Sequence, residues 1–185
     1  MKKNQPDTFH IYQEIYFTTC TIVGWKHLLK PDKYKQIIVD SLRFMVENKR
    51  AVVYAFVVMP NHIHIVWHIL EGFTIAQVEH RFLTFTAQQI KFDLQDFHPQ
   101  VLEVFTSTQS DRKYHFWKRE PLSIPIYYQN VLRQKIDYVH ANPHKEKWGL
   151  VKTNEMYYWS SESLYLTGET HWDFLTNFWG TISVL

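Results

Sequence analysis

Ala51-Val52-Val53-Tyr54-Ala55-Phe56-Val57-Val58-Met59-Pro60-Asn61-His62-Ile63-His64-Ile65-Val66-Trp67-His68-Ile69 is the stretch that decides the fold. Its first half, to Met59, is almost wholly apolar and rich in β-branched and aromatic residues, as a buried strand is. Its second half, from His62, is again β-prone, and only Pro60 and Asn61 separate the two. Proline at the second and asparagine at the third position of a four-residue turn suit type I geometry, so the stretch predicts a β-hairpin.

Working outward from the hairpin, Ile11 to Val23 reads as a first strand. From Pro31, taken as a first-turn residue, Tyr34, Ile37, Ile38, Leu42, Met45 and Val46 recur at helical spacing and predict a helix ending near Asn48. Beyond Gly72, Ile75, Val78, Phe82 and Phe85 predict a second helix reaching into the 90s. Gln95 to Lys113 is polar and aperiodic and reads as a loop. Tyr114 to Trp117 and Ile124 to Tyr128 read as the last strand material, interrupted by Pro121 and Pro125. Gln129 to Ala141 predicts a third helix carrying Val131, Leu132, Ile136 and Val139; Pro143 stops it, because a proline pushes the preceding residue out of α geometry. Strand, helix, strand, strand, helix, strand is the order of an α+β, ferredoxin-like antiparallel sheet with helices on one face, to which the third helix is added. The residues after 161 are expected to pack on this core as a tail.

At 185 residues the chain suits one domain, and 45% hydrophobic with 21% charged residues excludes disorder as its working state. The aromatic share is high at 17%, which serves a core or a base-stacking surface equally. A net charge of +2 permits nucleic acid without demanding it. The single cysteine, Cys20, excludes an internal disulfide and every Cys-rich zinc module, and it reads as a buried small hydrophobe. No apolar run approaches the ~20 residues a membrane helix needs, so the expectation is a soluble, cytoplasmic protein without a membrane partner. The sequence has no phosphate-cradling glycine loop, no dinucleotide-binding glycine fingerprint, no glycine-flanked nucleophilic serine and no HExxH.

Two segments carry candidate chemistry. In a strand, His62 and His64 point to the same face while Ile63 and Ile65 point to the other, so the two imidazoles are placed to share one divalent ion. The same alternation suits a polar sheet face that includes His68, and among 11 histidines the spacing alone leaves both readings open. In Asp137-Tyr138-Val139-His140-Ala141-Asn142-Pro143, Tyr138 and Asn142 stand four apart on one helix face, with Lys135 three residues before Tyr138 on the same side. Alone, that segment equally suits an amphipathic core-edge tyrosine and an asparagine that stops a helix.

Together the two segments resemble the HUH single-tyrosine transposases of the IS200/IS605 class, in the branch called REP-associated tyrosine transposases. Val57 to Val66 is similar to that family's histidine-hydrophobe-histidine strand with its preceding Met-Pro-Asn. Arg133 to Pro143 is similar to its catalytic-tyrosine helix, and Tyr158-Trp159-Ser160-Ser161 to a short signature that follows. The likeness runs from about 11 to 161 in the family's order and spacing. It departs at Trp117-Lys118, where a Trp-Gln pair is common, and at Arg81 to Thr86, which carries fewer basic residues than in relatives.

The resemblance implies that His62 and His64 are metal ligands, that Asn142 is the third ligand from the protein and that Tyr138 is the nucleophile. It implies a single-strand DNA endonuclease and strand transferase, in which tyrosine attack on single-stranded or hairpin DNA leaves a 5′-phosphotyrosine. Imidazole and amide ligands without a thiolate favour Mg²⁺ or Mn²⁺ over a closed zinc site. Arg112, Lys113, Lys118, Arg119, Arg133, Lys135, Lys145 and Lys147 are the basic side chains placed to meet DNA. Two other readings remain: a DNA-hairpin-binding protein that no longer transposes, and a metal-dependent phosphodiesterase that uses water. Relatives include domain-exchanged dimers and monomers, which leaves a homodimer open, and the tail is long enough to cover a sheet edge that a dimer would otherwise pair.

Overall fold

A computed structural model describes residues 14–110, 112–152 and 155–182. The hairpin forms as expected: β2 (Ala51–Val58) pairs antiparallel with β3 (His62–Ile69), with a bulge between Val53 and Ala55. Strand β1 (Ile15–Thr21) lies antiparallel along the other side of β3, and β4 (Leu122–Pro125) along the other side of β1. The sheet order is therefore β2-β3-β1-β4, the ferredoxin-like arrangement. The first strand is shorter than its β-prone composition predicts: Ile22 and Val23 lie past its end, and 11–13 fall outside the described residues.

Helices α1 (Asp32–Glu47) and α2 (Ile75–Phe97) cover one face. Pro31 sits just before α1 as its N-cap rather than inside the first turn. Helix α1 buries Tyr34, Ile38, Leu42 and Met45 at the 3–4 spacing read from the sequence. Helix α2 starts at a capping box, in which the Thr74 hydroxyl accepts from the Gln77 N–H and Gln77 Oε1 accepts from the Thr74 N–H. Val78, Phe82, Thr86, Ile90 and Leu94 then form one buried row, each four residues from the last. Phe82 meets the edge of Trp67 on β3 at 6.1 Å between ring centroids, which fixes α2 on the Ile63, Ile65 and Trp67 side of the sheet. Thr86 is tolerated in that row because its hydroxyl donates to the Phe82 carbonyl and accepts from Trp117 Nε1 at 3.1 Å.

The segment read as a loop from Gln95 to Lys113 is more ordered than its composition suggests. Helix α2 runs to Phe97, a short α3 (Pro99–Glu103) follows with Pro99 in its first turn, and Thr106 bridges Tyr114. Asp111 lies outside the described residues. The last strand differs as well. Tyr114 and Trp117 make isolated bridges, Trp117 to Ile22 beyond the end of β1, and the true β4 begins at Leu122, ahead of the predicted Ile124. Two prolines and an edge position give β4 half-exposed residues without a readable apolar alternation.

Helix α4 (Gln129–Ala141) has the predicted bounds, with Asn142 as its C-cap. It buries Leu132, Ile136 and Val139 and crosses the opposite face of the sheet, over β2 and β3. The chain after it carries α5 (Glu162–Thr167) and α6 (Phe178–Ile182) and runs along the outer edge of β2. There Val58 N–H donates to the Trp159 carbonyl, Ser161 N–H to the Phe56 carbonyl and Thr176 N–H to the Val53 carbonyl. The hydroxyls of Tyr157 and Tyr165 donate to the carbonyls of Val58 and Tyr54, and Ser161 Oγ accepts from Phe56 N–H. Trp172, Phe174 and Phe178 bury themselves behind this edge. Cys20 is buried and unpaired, and among the described residues no helix is long and apolar enough to cross a membrane.

Candidate active site between the sheet and helix α4

The sheet alternation places His62 and His64 on the face that α4 covers, and the helix brings Tyr138 onto them. The His62 and His64 rings lie 4.8 Å apart between centroids, and His64 lies 5.2 Å from Tyr138. Phe17 of β1 closes one side, stacked on His64 at 5.2 Å and edge-on to Tyr138 at 5.8 Å. Trp148, in the chain beyond α4, closes another at 5.6 Å from His62. Both imidazoles are buried, whereas Tyr138 is 43% exposed, so the phenol stands at the mouth of the site. The reading of the histidines as a polar outer sheet face is thereby overturned for these two. His68, four residues beyond His64 along β3, is half-buried opposite Ile15 and lies outside the cluster.

Hydrogen bonds orient the imidazoles. Asn61 Nδ2 donates to the Trp25 carbonyl at 3.0 Å, so its Oδ1 is the atom 2.7 Å from His62 Nδ1 and accepts a proton from it. The His62 proton is thus on Nδ1, and Nε2 carries the lone pair. His64 Nδ1 lies 2.8 Å from Thr19 Oγ1, and its Nε2 is buried without a partner. An imidazole held through one nitrogen by a neutral oxygen, with the other unclaimed, is the arrangement of a metal-ligating histidine. Burial, with Lys147 and Lys145 nearby, lowers His62 from 6.5 to about 4. Burial, with His62, Lys145 and Lys135 nearby, lowers His64 to about 3. Both rings are therefore neutral at pH 7, as ligation requires.

Asn142 is buried one turn beyond Tyr138, and its Nδ2 has no hydrogen-bond partner. Among the described residues no group of three or more His, Cys, Asp or Glu side chains is placed to hold a metal. The unpaired Nδ2 of Asn142 is a hydrogen-bond donor; its Oδ1 is an atom of the kind that can ligate a cation.

The basic residues divide into groups. Lys145 Nζ lies 4.6 Å from the Tyr138 ring centroid, Lys135 Nζ 4.8 Å from Phe17 and Lys147 Nζ 5.1 Å from Trp148, so these three ring the site. Lys118 lies nearby, 4.4 Å over Trp25. Arg112, Lys113 and Arg119, together with Lys118, line a separate cleft of about 860 Å³ between α2 and the segment before β4. Arg133 has its guanidinium 4.4 Å over Trp179 of the tail.

Sequence reasoning missed Phe17, Thr19 and Trp25. The first two enter through strand register, in which Phe17 pairs with Val66 and Thr19 with His64. Trp25 enters through a turn whose only signal in the sequence is Gly24.

No family model matches the sequence, and no curated protein does. Among solved structures, a candidate transposase from Deinococcus radiodurans R1 aligns at 16% identity and TM-score 0.45, covering 75% of this chain and 95% of that one. A REP-associated tyrosine transposase bound to a REP hairpin aligns at 19% identity and TM-score 0.52, covering 73% of this chain and 69% of that one. With that transposase the chain shares a fold.

Proposed function

We propose that the protein is a transposase-type DNA strand transferase that cleaves and rejoins single-stranded or hairpin DNA through Tyr138. The observation that carries this reading is the meeting of Tyr138 with His64, and of His64 with His62, at ring separations of 5.2 and 4.8 Å. The fold shared with a transposase that binds a REP hairpin supports hairpin DNA as the substrate class.

His62, His64 and Asn142 would hold a divalent ion, Mg²⁺ or Mn²⁺. When bound, the ion supplies charge neutralisation on the non-bridging phosphate oxygens. The protein's own residues do the rest. Lys145 places an ammonium group beside the Tyr138 ring and Lys135 one over the neighbouring Phe17, where a phosphate backbone must pass. Asn61 and Thr19 hold the two imidazoles through their Nδ1 atoms, so that the Nε2 atoms would face a bound ion. Phe17 packs edge-on against Tyr138 and holds its ring beside His64. Tyr138 Oη attacks phosphorus in line. The bond from phosphorus to the 3′-oxygen breaks, and the phenolic proton ends on the released 3′-hydroxyl. The 5′-phosphotyrosine conserves the bond energy, so the 3′-hydroxyl of a second strand reverses the step without ATP.

The test is a pool of hairpin oligonucleotides with single-stranded flanks, labelled at the 3′ end because the attached fragment carries the 5′-phosphate. Wild-type protein with Mn²⁺ is expected to give a labelled band of protein size on a denaturing gel. Tyr138→Phe keeps the half-exposed ring and its packing but lacks the nucleophilic oxygen, and no band is expected. An undiminished adduct from that variant places the nucleophile elsewhere, and cleavage without an adduct in the wild type identifies water as the attacking group.

A further inference from the structure

Trp25 is 55% exposed and stands beside the histidine pair. Its backbone is also strained: φ is 56° at Trp25 directly after 65° at Gly24, and the left-handed region disfavours a bulky residue. The fold nevertheless pins this turn firmly. Trp25 N–H donates to the Ile22 carbonyl at 3.0 Å, Ile22 N–H to the Asn61 carbonyl at 2.8 Å and Leu29 N–H to the Pro60 carbonyl at 2.8 Å. The Asn61 amide that accepts from His62 Nδ1 also donates to the Trp25 carbonyl, so one side chain fixes both the imidazole and the backbone that carries the indole. The indole lies 6.3 Å from the His62 ring, outside the site and beside it. Lys118 Nζ stands 4.4 Å from its centroid, and Lys147 and Lys145 flank the same mouth.

We infer that Trp25 is a stacking platform for an unpaired base of single-stranded DNA next to the scissile phosphate. The inference rests on the DNA reading above and deepens it by assigning a residue to base recognition. An exposed indole on a pinned turn among ammonium groups matches a nucleotide, whose base has a π-face and whose phosphate is an anion. Stacking of this kind tolerates any base, so Trp25 contributes affinity and strand selectivity rather than sequence. Duplex DNA, with its bases already stacked, offers nothing to the ring.

The experiment measures fluorescence anisotropy of labelled dT20, and of a 20-mer of the same backbone with abasic sites throughout, at low salt. Wild type, Trp25→Ala and Trp25→Phe are compared. Stacking worth ~1–3 kcal/mol per base predicts that Trp25→Ala binds dT20 about 5- to 150-fold more weakly and the abasic strand as wild type does. Trp25→Phe keeps a ring and is expected to retain most of the difference between the two strands, which separates lost stacking from a disturbed turn. Equal weakening on both strands, or none on either, overturns the inference while leaving the DNA reading standing. A wild-type protein that does not bind dT20 at low salt overturns the DNA reading beneath it.

Discussion

Lowering the pH from 7 to 5 should destabilise the metal-free protein. His62, His64 and His140 are held at about 4, 3 and 4 in the folded state, against an ordinary 6.5, chiefly by burial. His140 is a third buried imidazole, 2.8 Å from Ser161 Oγ at the covered edge of β2. The unfolded chain takes up protons at these positions below 6.5 while the folded protein does not, so stability is full above 6.5 and falls as the pH drops toward the folded values. At 1.36 kcal/mol per pH unit, each histidine loses about 2 kcal/mol by pH 5, and the three together lose roughly 6 kcal/mol. That is a large part of the ~5–15 kcal/mol by which a domain of this kind is stable. His68, also lowered by burial, adds in the same direction, whereas Glu79, raised by burial, works against it. Urea unfolding followed by tryptophan fluorescence, in EDTA at pH 7 and pH 5, measures the difference. His140→Gln should remove about a third of it without touching the site. Equal urea midpoints at the two pH values would refute the argument, because they would mean that the three rings charge in the fold as easily as in water.

Chelation should abolish cleavage and Mn²⁺ should restore it, while Mn²⁺ should raise the thermal midpoint of wild type but not of His64→Ala; full activity in EDTA would remove the metal role of His62 and His64. Ser161→Ala should destabilise the fold by ~1–3 kcal/mol in urea titration, because it leaves the buried Phe56 N–H without its acceptor and His140 without its partner.

The hairpin, α1, α2 and α4 were legible because each has an apolar pattern bounded by proline or glycine, and the 3.6-residue and two-residue periods then dictate which side is buried. The same logic correctly set His62 and His64 on one face. What the periods do not encode is the partner of that face. His62, His64 and His68 share one alternation, and only the crossing of α4 over β2 and β3 makes the first two a buried pair and leaves the third at the margin. Strand β4 was misplaced because its four residues sit at an edge between prolines, where β-propensity says little. The tail defied segmentation for a related reason: it attaches through single backbone and hydroxyl groups along β2, with no repeat for a pattern to reveal. Trp25 was hidden by composition, because an aromatic after glycine in an apolar neighbourhood reads as core until the turn geometry turns it outward.

The tail also bears on how many copies build one site. Strand β2 is an edge strand, and an open edge is where a second copy would pair. Here the carbonyls of Val53, Tyr54, Phe56 and Val58 and the N–H groups of Phe56 and Val58 are engaged by 157–176 of the same chain. A second copy would have to strip Trp172 and Phe174 from their buried places to reach them. Tyr138 meanwhile reaches His64 of its own chain without any exchange of α4. The expected outcome is that each copy cleaves with its own tyrosine. Mixing His64→Ala with Tyr138→Phe tests this directly. If sites form within one chain, neither variant has a complete set and the mixture gives no covalent adduct. If α4 exchanges between copies, one of the two composite sites in a mixed dimer regains both His64 and Tyr138, and the adduct returns to as much as about a quarter of the wild-type level for random pairing. A restored adduct would show that the tail yields the β2 edge in solution.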